Sequence, residues 1–183
     1  MKRLTFTALL FSLFFFTSNA QPSDHGNFEH KNNVHIWAGG PGFIYNLSYE
    51  RILVNLPPIK LSMEAGASFY PASSGNIGLW FPITANQTFF AKNHHLETGL
   101  GVVFTQDEPF KNQQKLEAAF GMFKIGYRYQ RPKGRFIFRA TFTPFLELER
   151  YGTESGASFT RELRSNFLNR THAWGGVSFG YCF

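Results

Sequence analysis

Residues 172–183 read His-Ala-Trp-Gly-Gly-Val-Ser-Phe-Gly-Tyr-Cys-Phe, and their parity decides the fold. Ala173, Val177, Phe179, Tyr181 and Phe183 fall on one side of an extended chain, and Trp174, Gly176, Ser178, Gly180 and Cys182 on the other. Successive side chains of a strand point to opposite faces, so this segment is a strand with one greasy face and one small or polar face. In the segment from 135, Phe136, Phe138, Ala140, Phe142, Leu146 and Leu148 alternate with Arg135, Arg139, Thr141, Thr143 and Glu147, while Ile137 and Phe145 interrupt the polar side. Farther upstream, Ile59, Leu61, Met63, Ala65, Ala67 and Phe69 alternate with Lys60, Ser62, Glu64, Gly66 and Ser68. Leu96, Leu100, Val102 and Phe104 stand opposite His95, Glu97, Gly99 and Gly101. No stretch beyond the N-terminal region keeps a helical apolar stripe. The alternating runs, bounded by Pro, Gly and Asn clusters, predict eight strands at 33–39, 43–54, 59–70, 77–90, 94–105, 117–130, 135–148 and 172–183.

Composition says which face is inside. Aromatic residues make up 18% of the 183 residues and charged residues 16%, with 23 Phe, which excludes an intrinsically disordered chain. More than twenty bulky apolar side chains turned inward would have to share the lumen of one small barrel, where about eight strands leave room only for tight packing or one small ligand. Turned outward, they make the apolar band of a membrane barrel, with small and polar residues filling the interior. The expected fold is therefore all-β, an eight-stranded antiparallel up-and-down transmembrane barrel. A soluble lipocalin-like barrel is the alternative.

Connection lengths support the membrane reading. Short links at 55–58, 91–93 and 131–134 alternate with longer ones at 71–76, 106–116 and 149–171. Outer-membrane barrels have short periplasmic turns and longer outside loops, so the short set is expected in the periplasm. The strand from 43 then runs toward the periplasm and needs a partner before it. Val34-His35-Ile36-Trp37, followed by Gly39-Gly40-Pro41-Gly42, supplies that strand and turn and makes the count even.

The N-terminus has the layout of a secretory signal peptide: Lys2 and Arg3, an apolar run Leu9–Phe16, and the small-x-small ending Ser18-Asn19-Ala20. Cleavage after Ala20 leaves residues 21–32 as a flexible polar leader and 33–183 as the barrel domain. It also removes two cations, lowering the formal charge from +6 to +4. No long Lys/Arg run marks nucleic-acid binding, so nucleic acid is not an expected partner. The lone Cys182 has no internal disulfide partner, and a monomer is expected.

Tyr45-Asn46-Leu47-Ser48-Tyr49-Glu50-Arg51, Leu96-Glu97-Thr98-Gly99-Leu100-Gly101, Gly126-Tyr127-Arg128-Tyr129-Gln130 and the ending Gly176–Phe183 carry a likeness that covers about residues 33–183. On these residues the chain resembles the small eight-stranded outer-membrane β-barrel proteins of Gram-negative bacteria. The resemblance implies secretion to the periplasm and residence in the outer membrane. It implies that Phe179, Tyr181 and Phe183 form the terminal signal read by the barrel-assembly machinery; outer-membrane lipid, and lipopolysaccharide whose phosphates the basic balance of the 149–171 loop would meet, are the other expected partners. The likeness is to members without an assigned activity, so it carries topology and location but no reaction. No peptidoglycan-binding domain is expected.

The interior face would hold Glu50, Lys60, Glu64, Glu97, Lys124, Arg128, Arg139 and Glu147. Lone charges inside a barrel are costly, so Glu50, Glu64, Glu97, Lys124, Arg128 and Arg139 are expected to pair into a network that plugs the lumen. The same residues arranged as an open ring would make a narrow ion pore. His94 and His95 are adjacent on a strand and so point to opposite faces, which argues against a metal site. A lipid-modifying enzyme is the other alternative. The lipid A deacylases carry a His-x-Ser pair on one strand face, however, and none of the six His here is followed by Ser at that spacing. No catalytic residue, cofactor or metal is expected. The outside loops, with Asp107, Glu108, Lys111 and Lys115 in one and Arg150, Glu154, Arg161, Glu162, Arg164 and Arg170 in another, are the expected recognition surface. Asn46-Leu47-Ser48, Asn86-Gln87-Thr88 and Asn169-Arg170-Thr171 match a glycosylation acceptor by chance, since the first two lie within strands of a presumed bacterial barrel.

Overall fold

The computed structural model describes residues 27–56, 58–71, 77–90, 92–107, 115–150, 171–172 and 174–183. The expected signal peptide at 1–20, residues 21–26 of the expected leader, and residues 108–114 and 151–170 of the two longer links lie outside the described residues. Ten strand segments follow one another: β1 (Asn32–Gly39), β2 (Tyr45–Leu56), β3 (Ile59–Pro71), β4 (Ile77–Phe89), β5 (His94–Asp107), β6 (Lys115–Gln130), β7 (Phe136–Phe142), β8 (Phe145–Arg150), β9 (Thr171–His172) and β10 (Gly175–Cys182).

Every pairing is antiparallel, and the ring closes. Each of β1 to β6 pairs with its successor, β6 pairs with β7, β7 with β10, and β10 with β1. β8 pairs with β6 above β7, and β9 pairs with β8. Two staves are thus each made of two segments, and the wall is an eight-stranded up-and-down barrel. The backbone of Phe183 exchanges hydrogen bonds with Asn32 at 2.8 and 3.1 Å, fastening the last residue to the first strand.

The expected strand 135–148 is interrupted at Thr143-Pro144. Proline has no N–H for the ladder, and strands carry it only at edges, ends or bulges. Here the Thr143 N–H turns to Trp174 O at 2.6 Å, and Phe123 N–H donates to Pro144 O at 3.2 Å. The last stave breaks at the same level, between β9 and β10. The second strand begins at Tyr45 rather than 43. Gly39 and Gly40 have positive φ, a turn of 3-10 helix covers Gly40–Gly42, and Phe43 sits at φ 68 before the chain straightens. β5 and β6 run farther than expected, to Asp107 and from Lys115.

Burial follows parity. In β2 the outward Tyr45, Leu47, Tyr49 and Leu53 are exposed, whereas the inward Asn46, Ser48 and Glu50 are at most 2% exposed. The pattern is that of a soluble protein turned inside out, with apolar side chains outside and polar ones buried.

The segment expected as a flexible leader is held on the barrel over its described residues. Phe28 is 2% exposed and enters the mouth at the end that carries the short turns. Asn55 clasps it on both sides, accepting from Phe28 N at 3.1 Å and donating to Phe28 O at 2.7 Å. Glu29 N donates to Pro132 O at 2.8 Å, and Ile52 N to Lys31 O at 2.7 Å.

Candidate functional site in the barrel lumen

Register brings like charges together on each wall. Glu50 of β2 is the cross-strand partner of Glu64 of β3, and Arg128 of β6 is the partner of Arg139 of β7. Like charges directly opposite on a sheet repel. In an eight-membered ring, however, β2 faces β6 across the lumen and β3 faces β7, so the acidic wall confronts the basic one.

The contacts cross the lumen accordingly. Arg128 Nη1 donates to Glu50 Oε1 at 2.9 Å and to Glu97 Oε2 at 3.2 Å. Arg139 donates from Nη1 to Glu64 Oε2 at 3.0 Å and from Nη2 to Glu50 Oε2, and its Nε lies 3.4 Å from Glu97 Oε2. Lys124 Nζ lies 2.9 Å from Glu64 and 3.0 Å from Glu97. Three carboxylates meet three cations, and all six side chains are at most 3% exposed. Neutral donors complete the shell: Asn33 donates to Glu50 at 2.7 Å, Ser62 to Glu50, Trp37 Nε1 to Glu64 at 2.9 Å, and Asn86 to Glu64 at 3.0 Å.

The structure therefore brings together all six residues singled out for an interior network. Lys60 is also buried but stands apart: its Nζ donates to Phe90 O at 3.2 Å and lies 4.5 Å from the Phe28 ring centroid. The Glu147 side chain lies outside the described residues. Phe179, Tyr181 and Phe183 sit on the outer face, each about half exposed.

Sequence reasoning missed His35, Asn33 and Trp37 as members. His35 lies with Nδ1 2.8 Å from Asn33 Oδ1 and Nε2 3.0 Å from Glu64 Oε1. Parity places all three inward, a signal that could have found them. It also missed an apolar layer at the opposite, loop-bearing end, made of Trp80, Val103, Phe120, Met122 and Phe145 with Phe43 and Trp174 against it. Trp80 stacks on Phe120 at 5.6 Å and Phe43 on Trp174 at 4.7 Å. Indole donors tie this layer to the β1–β2 turn, Trp80 Nε1 to Pro41 O and Trp174 Nε1 to Phe43 O, both at 2.8 Å.

The two histidines of the fourth turn part as expected of strand neighbours. His94 faces outward with Nδ1 2.6 Å from the Tyr127 hydroxyl, while buried His95 contacts Phe90 O and Gln130 O, both at 3.1 Å. Among the described residues no three His, Cys, Asp or Glu side chains are grouped to hold a metal.

Fold and lumen together define a closed eight-stranded β-barrel with buried, mutually paired charges. No protein-family model and no curated protein sequence matches the chain. Among solved structures it is similar to the crystal structure of the N-terminal β-barrel domain of Pseudomonas aeruginosa OprF, at 15% identity and a TM-score of 0.46, covering 85% of this chain and 100% of that one.

Proposed function

We propose that the chain is an outer-membrane β-barrel protein whose interior is plugged and whose role is structural or interactive, exercised through the loops at the end opposite the short turns. The observation that supports this best is the polarity of the wall. Ile36, Leu47, Leu61, Leu100, Phe142 and Phe179 are among outward side chains 41–67% exposed, while Glu50, Glu97, Lys124, Arg128 and Arg139 are fully buried. Apolar surface of that extent in water is unfavourable by about 25 cal/mol per Å². In lipid it is the normal exterior of a barrel. A ring of Tyr49, Tyr127, Tyr129 and Tyr181 near the turn end fits the aromatic girdle at a membrane interface.

The plugged reading rests on the paired charges in one half of the lumen and the aromatic layer in the other. Insertion by the barrel-assembly machinery through Phe179, Tyr181 and Phe183, the monomeric state and lipopolysaccharide contacts at the loops belong to the same proposal.

The test is expression with the N-terminal segment intact, isolation of outer membranes and electrophoresis with and without boiling. A compact band that shifts only on boiling supports the reading. Recovery of the chain in the soluble periplasm without a shift overturns it.

A further inference from the structure

The outer wall is not smooth. A cleft of about 430 Å³ opens on it between Leu61 and Met63 of β3, Ala85 and Gln87 of β4, Leu100 of β5 and Phe123 of β6. Its floor is low because Ala85 stands in a row of bulky neighbours: register aligns Arg51, Met63, Ala85, Leu100 and Phe123 as successive partners across β2 to β6. The row climbs away from the turn end. Met63 and Ala85 lie four residues from the turn-side ends of their strands, Leu100 six and Phe123 seven.

At the β2 end of this row stands Arg51, the register partner of Met63. It is exposed, it points outward, and no described residue pairs with it. It belongs to a collar of exposed cations at the turn end: Lys31, Arg51, Lys92, Arg131, Lys133 and Arg135. Among the described residues at that end, Glu29 has the one exposed side-chain carboxylate. Arg131 and Arg135 are occupied by tyrosines, Arg131 Nε donating to Tyr129 at 2.9 Å and Arg135 Nη1 to Tyr181 at 2.6 Å. Arg51 borders the cleft through Leu53, two residues on along β2, and through its register partner Met63, both of which line it.

We propose that this cleft and Arg51 form a binding site for one anionic glycerophospholipid of the turn-side leaflet. The headgroup phosphate meets the Arg51 guanidinium, which binds phosphate oxygens in a two-pronged manner. The cross-strand pair Gln87 and Thr98 faces the glycerol ester region. One acyl chain follows the row over Ala85 toward Leu100 and Phe123. A charge on the barrel exterior is otherwise an expense that grows with depth, and a phosphate at Arg51 removes it. The inference rests on the membrane reading above.

The test uses the full barrel inserted into phosphatidylcholine vesicles doped with spin-labelled phosphatidylglycerol or, separately, spin-labelled phosphatidylcholine. The fraction of label immobilised by the protein is read by electron paramagnetic resonance. The wild-type barrel should immobilise phosphatidylglycerol in preference to phosphatidylcholine. Arg51→Gln should lower that preference about five-fold, the value of one basic residue near an anionic lipid surface. Ala85→Leu, which raises the cleft floor, should reduce immobilisation of both lipids. Lys133→Gln, in the collar but away from the cleft, should change neither.

Equal immobilisation of the two lipids by the wild-type barrel overturns the site. A loss of preference in Lys133→Gln as large as in Arg51→Gln overturns it too, since the attraction would then belong to the whole collar. Displacement of the label by unlabelled lipid A more readily than by unlabelled phosphatidylglycerol overturns the choice of a glycerophospholipid. Failure to give a heat-shifted band after reconstitution overturns the membrane reading itself, and is separable from a barrel that inserts without lipid preference.

Discussion

Replacing Glu50 by Gln removes one of the three carboxylates of the network and leaves its three cations facing two. Glu50 meets both arginines, as Glu97 does at longer range, and it also accepts from Asn33 and Ser62. Without it, Arg128 keeps one carboxylate, Glu97 at 3.2 Å, beside the neutral Gln130 Oε1, and Arg139 keeps Glu64 at 3.0 Å and Glu97 at 3.4 Å. Breaking a buried ion pair by deleting one partner costs about 3–5 kcal/mol, because a desolvated charge is left uncompensated. Two such charges depend on Glu50, so the upper part of that range is expected. The double variant Glu50→Gln with Arg128→Met restores two against two and should recover a large part of the loss, since removing both members of a buried pair is often close to neutral. The assay is urea unfolding of the folded barrel in micelles, followed by the fluorescence of the three tryptophans, one of which, Trp37, donates to Glu64, and in parallel by the heat-shifted gel band. A single-variant cost within the about 0–1 kcal/mol of a solvent-exposed pair would refute the reasoning, because it would mean the lumen charges are hydrated and the plug is a pore lining.

Further tests address other parts of the molecule. Phe138→Arg on the outer face, where Phe138 packs on Phe179 with ring centroids 5.0 Å apart, should cost about 2–4 kcal/mol if it lies at the bilayer midplane, and normal amounts of heat-shifted band would contradict the topology. Phe28→Ala should free residues 27–31 without opening the wall: trypsin should cut after Lys31 sooner, while the compact band persists. Gly176→Val should block closure of the β1–β10 seam, because the space its Cβ needs is taken by backbone atoms of Gly39 and Gly40, and the gel should then show only the unshifted form. Planar-bilayer recording of the wild-type protein should give no sustained single-channel steps, and their appearance would replace the plug with a conducting lumen.

Much of the wall was legible because a strand has a period of two, and β2, β3 and β5 keep that period almost without error. The face assignment followed from volume alone. Strand ends were less legible for identifiable reasons. The run 135–148 alternates on both sides of Pro144, yet its missing N–H and the bond from Thr143 N to Trp174 O divide that stave. Phe43 continued the apolar alternation on paper, but its left-handed backbone places it in the turn. The six network residues were legible as inward and charged. Which of them touch was not, because contact across a lumen depends on how many strands separate two residues around the ring, a quantity that no local pattern contains. Phe28 escaped for a related reason: one aromatic residue in a polar segment has no period, and its value comes from Lys60, His95 and Arg128, brought beneath it by three distant strands.

The arrangement of charges bears on how this sequence selects a closed barrel over an open sheet. Each neighbouring pair on the inner face, Glu50 with Glu64 and Arg128 with Arg139, is repulsive while the sheet is open. In water that repulsion is screened and small. Once closure excludes water from the inner face, the same pairs would be severely unfavourable unless the opposite wall arrives in register. In the closed ring every carboxylate of the six meets at least two cations. A shift of one residue between β6 and β7 would turn Arg139 outward, strip Glu50 and Glu64 of a shared partner, and move Ile137 off the inner face. The network therefore discriminates between registers more strongly than it adds stability, which is the role for which buried ion pairs are best suited.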